Sequence, residues 1–144
     1  MDKKTIHDCK EVVSQTNIVL KEKKSIYKAI NRNNEDILKY KVDGCLYRPG
    51  SKAIRCDYLL DANRELYFIE LKGSDIKKGL KQVLSSIKNL EQYFTFNSTK
   101  ARIITTRGTK PKRLNTYKEY RDLLRLIGKD GIVLSNSPYE ENIN

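Results

Sequence analysis

The sequence has no apolar run near the ~20 residues needed to span a bilayer. Its opening, Met1-Asp2-Lys3-Lys4-Thr5-Ile6-His7, enters polar sequence with no signal-type apolar segment. A soluble, cytoplasmic protein with no membrane partner is the expectation. Internal repeats and Pro/Gly/Ser-rich linkers are also missing, and Pro49, Pro111 and Pro138 fall in segments that read as connections. One domain over residues 1–144 follows. Cysteine is scarce: Cys9, Cys45 and Cys56 are odd in number and lack the close pairing of a zinc knuckle or redox dithiol, so unpaired thiols in a reducing compartment are expected. His7 is the only histidine and lies near the terminus, which points to a surface role and away from catalysis. Acid is in short supply, with 18 Asp+Glu against 29 Lys+Arg and a net charge of +11. That balance favours a polyanionic partner, although it speaks to association and not to fold. The 38% hydrophobic content suffices for one core.

What is present is a pattern of short elements. Ile6, Cys9, Val12 and Val13 at helical spacing predict a helix over about residues 5–15. Residues 17–36 stay open: 17–20 and 26–30 read as short strands around a turn-like Asn31-Arg32-Asn33-Asn34, in an order the sequence does not fix. Leu38, Tyr40 and Val42 alternate as a strand, and residues 53–60 and 66–72 follow as two more, forming a hairpin. Both hairpin strands carry apolar residues on both pleat faces, which places them at the centre of a sheet covered on both sides. Ile76, Leu80, Val83, Ile87 and Leu90 then form one helical stripe behind an N-cap at Ser74 or Asp75. Residues 101–106 read as a strand reached by this crossover helix, hence in parallel pairing. A second helix is expected from Thr116, whose spacing to Glu119 is that of a capping box, to Gly128. A last strand covers 131–135, and the tail 138–144 is expected to fray. The fold class is therefore α/β: one domain, a central mixed sheet, flanking helices.

The chemistry concentrates in the hairpin. A turn centred between Asn63 and Arg64 sets Leu60 against Tyr67 and Asp57 against Glu70. Lys72 shares the pleat face of Glu70, within roughly 7 Å of the acid pair. Like charges facing each other across a sheet are destabilising, so the pair needs a compensating cation. Mg²⁺ or Mn²⁺ would supply it, since such ions use one or two carboxylates and keep waters and phosphate oxygens. Lys72 alone could also neutralise the pair as a structural ion cluster.

Asp57 followed by Glu70-Leu71-Lys72 resembles the D…(D/E)xK signature of the PD-(D/E)XK phosphodiesterase superfamily, which includes restriction endonucleases and archaeal-type Holliday junction resolvases. The resemblance covers about residues 37–107, and Cys56 stands where the signature has proline. It implies a restriction endonuclease-like αβββαβ core, a helix followed by a three-stranded meander, a crossover helix and a parallel strand. It further implies that Asp57 and Glu70 bind the metal, with the Leu71 carbonyl as a further ligand, and that Lys72 acts on the attacking water and the phosphate. Gln82 resembles the glutamine that some members add on the crossover helix; by the helical wheel it could equally be a solvated surface residue. Glu11 is the candidate for the acid that members often carry on the first helix, with Glu22 and Asp43 as weaker alternatives.

The function this implies is a metal-dependent nuclease, a DNA endonuclease ahead of one acting on RNA, with a homodimer as the assembly considered. Phosphate contacts are expected from Lys77, Lys78 and Lys81 on the crossover helix and from Arg107, Lys110, Lys112 and Arg113 in a basic loop. The alternative is a catalytically inactive module that keeps the fold and binds nucleic acid or a protein partner.

Overall fold

The computed structural model describes residues 1–71, 74–106 and 113–144. Its centre is a mixed sheet of six strands in the order β1-β4-β5-β6-β7-β8. These are β1 (Lys10–Val13), β4 (Ile37–Lys41), β5 (Tyr58–Ala62), β6 (Glu65–Leu71), β7 (Ser98–Thr105) and β8 (Ile132–Asn136). Strands β4, β5 and β6 form an antiparallel meander, and β1 adds antiparallel to the outer side of β4. Helix α2 (Ile76–Leu90) carries the chain over to β7, parallel to β6, and α3 (Lys118–Ile127) carries it to β8, parallel to β7. A second sheet joins β2 (Asn17–Glu22), β3 (Ser25–Ile30) and β9 (Tyr139–Asn142), with β9 parallel to β3.

Period-two alternation along β5 and β6 divides the core. Leu59, Leu66 and Phe68 pack beneath α2 and α3 with Leu80, Val83, Ile87 and Leu123. Leu60, Tyr67, Ile69 and Leu71 pack on the opposite face against Ile18, Leu20, Tyr27 and Ala29 of the small sheet. The central strands are thus covered on both sides, as their two-faced hydrophobicity implies. The hairpin register is also as expected, with Leu60 opposite Tyr67. Asp75 caps α2 by accepting from Lys78 N–H at 3.0 Å.

Other sequence expectations are corrected. The helix expected over 5–15 is α1 (Lys3–Asp8), capped by Asp2, and the chain then turns into β1, where β-branched Val12 and Val13 take up sheet pairing with Leu38 and Ile37. Cys9 and Cys45 are joined in a disulfide across a sequence separation of 36, so they are not the expected free thiols, and the reducing compartment inferred from them loses its basis. Cys56 alone is free, and it is buried. The strand expected from Ala53 starts only at Tyr58, because residues 54–56 are held by α2 instead of by a neighbouring strand. Thr116 does not cap α3; its hydroxyl donates to the Arg113 carbonyl in a 3-10 turn, and Tyr117 stands at the cap. Gly128, with φ 80°, ends α3 as expected. The tail does not fray: β9 pairs with β3, and Ile143 is buried with its N–H on the Ile30 carbonyl. Among the described residues no helix is long and apolar enough to cross a membrane.

Candidate functional site

Asp57 lies one residue before β5, where three backbone constraints fix it. Its carbonyl accepts from Val42 N–H at 2.9 Å and Asp43 N–H at 3.3 Å, and its own N–H donates to the Ile69 carbonyl at 3.1 Å. The regular ladder ends at Tyr58 opposite Ile69, so Asp57 meets β6 slightly out of the plain register that would put it squarely against Glu70. Its side chain compensates by reaching back along β6, with Oδ2 accepting the Leu71 N–H at 2.7 Å. The approach to Asp57 is pinned from the helix side: Cys56 N–H donates to Ser86 Oγ at 2.8 Å, and Ser85 Oγ donates to the Ile54 carbonyl at 3.0 Å.

Glu70 is fully buried and Asp57 is 5% exposed. Glu70 belongs to the helix-facing set of β6, and α2 comes down on it at Gly79, where a Cβ would lie 3.8 Å from Glu70 Cγ and 3.1 Å from Ile103 Cγ2. A Cβ here would need the Ile103 side chain to give by a few tenths of an ångström, and bulkier side chains would need more. Both carboxylates act on the neighbouring Cys56 thiol, whose pKa burial pushes far above the ordinary value and which Glu70 and Asp57 push further. Two acids are therefore enclosed at the adjoining ends of β5 and β6.

Asp57 opens onto a cleft of about 560 Å³. Its described lining is Asp43, Asp57, Leu71 and Thr106 on one side and the β2–β3 turn, Glu22 to Ser25, on the other. A second cleft of about 350 Å³ lies toward α2, lined by Asp43, Ala53, Ile54, Arg55, Lys78, Lys81 and Gln82. Asp43 faces both. It is held by Arg55, whose Nη2 and Nε donate to Oδ1 at 2.9 and 3.1 Å.

The structure sorts the expected residues. It encloses Asp57 and Glu70 at the adjoining ends of β5 and β6, with Asp57 and Leu71 lining one cleft, while Gln82, Lys78 and Lys81 of α2 line the second cleft. Gln82 is not a solvated surface residue: it is buried, and its Oε1 has no hydrogen-bond partner among the described residues. The wheel argument missed this because α2 buries a broad face, extending from the Leu80–Ile87 stripe to Gly79, Gln82 and Ser86. Lys77 is exposed on α2 and lines neither cleft. Glu11 is corrected: it sits on edge strand β1 and not on a helix, exposed, 3.8 Å from Lys39 Nζ, and lines neither cleft. The weaker alternatives Glu22 and Asp43 do reach the cleft of Asp57. Arg113 is exposed before a 3-10 turn and lines neither cleft. Lys72, Arg107, Lys110 and Lys112 lie outside the described residues.

Sequence reasoning missed Arg55, the Ser85–Ser86 pair, and Lys23 and Lys24. The two lysines had a readable signal, a polar five-residue step, Lys21 to Ser25, between the short apolar segments 17–20 and 26–30. Arg55 and the serines had none, because their partners lie in other elements.

Among the described residues no group of three or more His, Cys, Asp or Glu could hold a metal ion by itself. What the site offers is two adjacent carboxylates beside an open cleft, a donor set that suits a hard ion keeping water and substrate oxygens in its shell. Comparison of the chain with models of protein families, with curated proteins and with solved structures finds no match.

Proposed function

We propose that this protein is a metal-dependent phosphodiesterase that cleaves nucleic acid, with DNA the substrate and internal cleavage the mode. One observation carries the reading: Asp57 and Glu70 are enclosed at the adjoining ends of β5 and β6, and Asp57 lines a cleft. The order of meander, crossover helix α2 and parallel strand β7 around these acids supports it, being the arrangement that the PD-(D/E)XK resemblance implies. So does a chain charge of +11, which favours a polyanion.

In this reading Asp57 and Glu70 hold Mg²⁺ or Mn²⁺, assisted by the Leu71 carbonyl. When bound, the ion lowers the pKa of water and stabilises charge developing on phosphate. The Leu71 N–H fixes one Asp57 oxygen and hence the orientation of the carboxylate. Lys72, the next residue in sequence, is the one the resemblance assigns to steadying the phosphate or the attacking water. Gln82 turns an amide toward the neighbouring cleft, where its buried end awaits a donor from water or substrate. Lys78 and Lys81 add positive charge along the same wall.

The test is cleavage of linear, circular and branched DNA and RNA with Mg²⁺ or Mn²⁺. Asp57→Asn and Glu70→Gln should each lose cleavage by about a hundredfold or more while melting, without metal, at or above the wild-type temperature, since each substitution removes one of two like charges. Wild-type turnover in excess chelator, or full activity in both variants, would overturn the assignment. Wild-type protein that binds but cuts nothing with either metal would favour the inactive module.

A further inference from the structure

We infer that the β2–β3 turn is a second phosphate-binding wall of the Asp57 cleft, with Lys23 and Lys24 gripping the sugar-phosphate backbone of nucleic acid on the side opposite α2. The inference deepens the phosphodiesterase reading of that cleft and rests on it for the identity of the polyanion.

Three observations carry it. Both lysines line the same cleft as Asp57, and both are exposed. The turn is not a loose tip. Ser25 Oγ donates to the Ile104 carbonyl at 2.9 Å from a buried position, Ser137 Oγ donates to the Lys24 carbonyl at 3.2 Å, and Ile26 N–H donates to Ser137 Oγ at 2.8 Å. These bonds fix the backbone that carries the two lysines relative to the end of β7, so less backbone freedom is lost on binding than for lysines on a mobile loop. Finally, Glu22 pairs directly with Ser25, leaving a two-residue turn in which Lys23 holds φ at 52°. Glycine occupies such a position at less cost, so a lysine there spends conformational energy to present a cation.

The Asp57 cleft has one basic side, at the β2–β3 turn, facing a side that carries acids. Lys23 and Lys24 line it beside Glu22 on the small-sheet side, Asp43 and Asp57 line it opposite, and Lys78 and Lys81 belong to the second cleft, which shares Asp43 with it. A phosphodiester strand entering this cleft would meet the two lysines across from Asp57. Lysine contacts of this kind carry no base information, so the wall contributes affinity and orientation without sequence preference.

The experiment uses the combined variant Lys23→Gly, Lys24→Ser against a charge-matched control, Lys118→Gln, Lys129→Gln, whose lysines are exposed and line neither cleft. Affinity for fluorescent DNA and RNA oligonucleotides is measured in chelator across a salt series. The turn variant should melt no lower than wild type, because glycine relieves the positive φ, yet bind about tenfold more weakly, with the slope of log K against log salt reduced by about two. The control should keep the wild-type slope. A change on both probes identifies the phosphodiester backbone, and a change on one alone identifies that nucleic acid as the source. An unchanged slope on both probes, or a wild-type protein that binds neither, overturns the inference. Wild-type cleavage of the same probes with Mg²⁺ separates the two readings: cutting with an unchanged turn slope removes the wall alone, and an altered slope without cutting leaves the wall and removes the phosphodiesterase.

Discussion

Arg64 holds φ at 69° beside Asn63 at 52°, so the tight turn between β5 and β6 has both central residues in the left-handed region. Asparagine tolerates that region and glycine does so best, but arginine does not. Arg64→Gly should therefore stabilise the fold by about 1 kcal/mol, read as a raised urea midpoint with unchanged denaturant slope. The turn's other supports, Asp61 Oδ1 accepting the Arg64 N–H at 2.9 Å and the Arg64 carbonyl accepting from Asn97, use backbone atoms that glycine retains. A fall in stability would mean that the arginine side chain contributes more than its backbone costs. This same turn made the hairpin readable: once Asn63–Arg64 is placed, counting outward sets Leu60 on Tyr67 and brings Asp57 near Glu70. The Cys9–Cys45 bond was not readable that way, because nothing local to either cysteine reports the other across a separation of 36.

At the scale of elements, α2 is the part on which the site depends most. It was legible because its apolar stripe and Asp75 cap are local, whereas its close approach to the sheet at Gly79 was not, since the atoms that demand a small residue, Ile103 Cγ2 and Glu70 Cγ, come from two strands. Gly79→Val would force α2 away from β6 and β7 and should cost about 1–3 kcal/mol, seen in chemical denaturation. If the phosphodiesterase reading is right, activity should fall further than the lost folded fraction explains, because Glu70 and Gln82 both depend on that approach. Activity that merely tracks the folded fraction would show that the site tolerates a displaced helix. Strand boundaries failed for a related reason. Residues 54–56 have strand-like sequence, but Ser85 and Ser86 take up Ile54 and Cys56 backbone groups that a ladder would otherwise use.

Across the whole molecule, the two layers that cover the sheet differ in how they are assembled. The helical side is built from short-range crossovers, whereas the small sheet joins residues 17–30 to 139–142. A buried ion pair fastens that joint: Arg102 Nε donates to Glu141 Oε2 at 2.7 Å, and the Tyr27 hydroxyl donates to the same oxygen at 2.7 Å. Glu141→Gln would leave the enclosed Arg102 charge uncompensated and should cost about 3 kcal/mol, measured by thermal or urea unfolding. A loss below ~1 kcal/mol would place the pair with ordinary surface bridges. The pair was invisible in sequence, because Glu140-Glu141 in a polar tail looks like frayed chain until β9 is seen lying on β3. The joint also sets a timetable for synthesis. Residues 17–30 leave the ribosome long before their partner, and Ser137, which pins the turn bearing Lys23 and Lys24, arrives near the end. The acids at the ends of β5 and β6 can thus be in place on a nascent chain while that turn has only its Ser25 bond to Ile104, and the Ser137 anchor is added only once translation has passed residue 137.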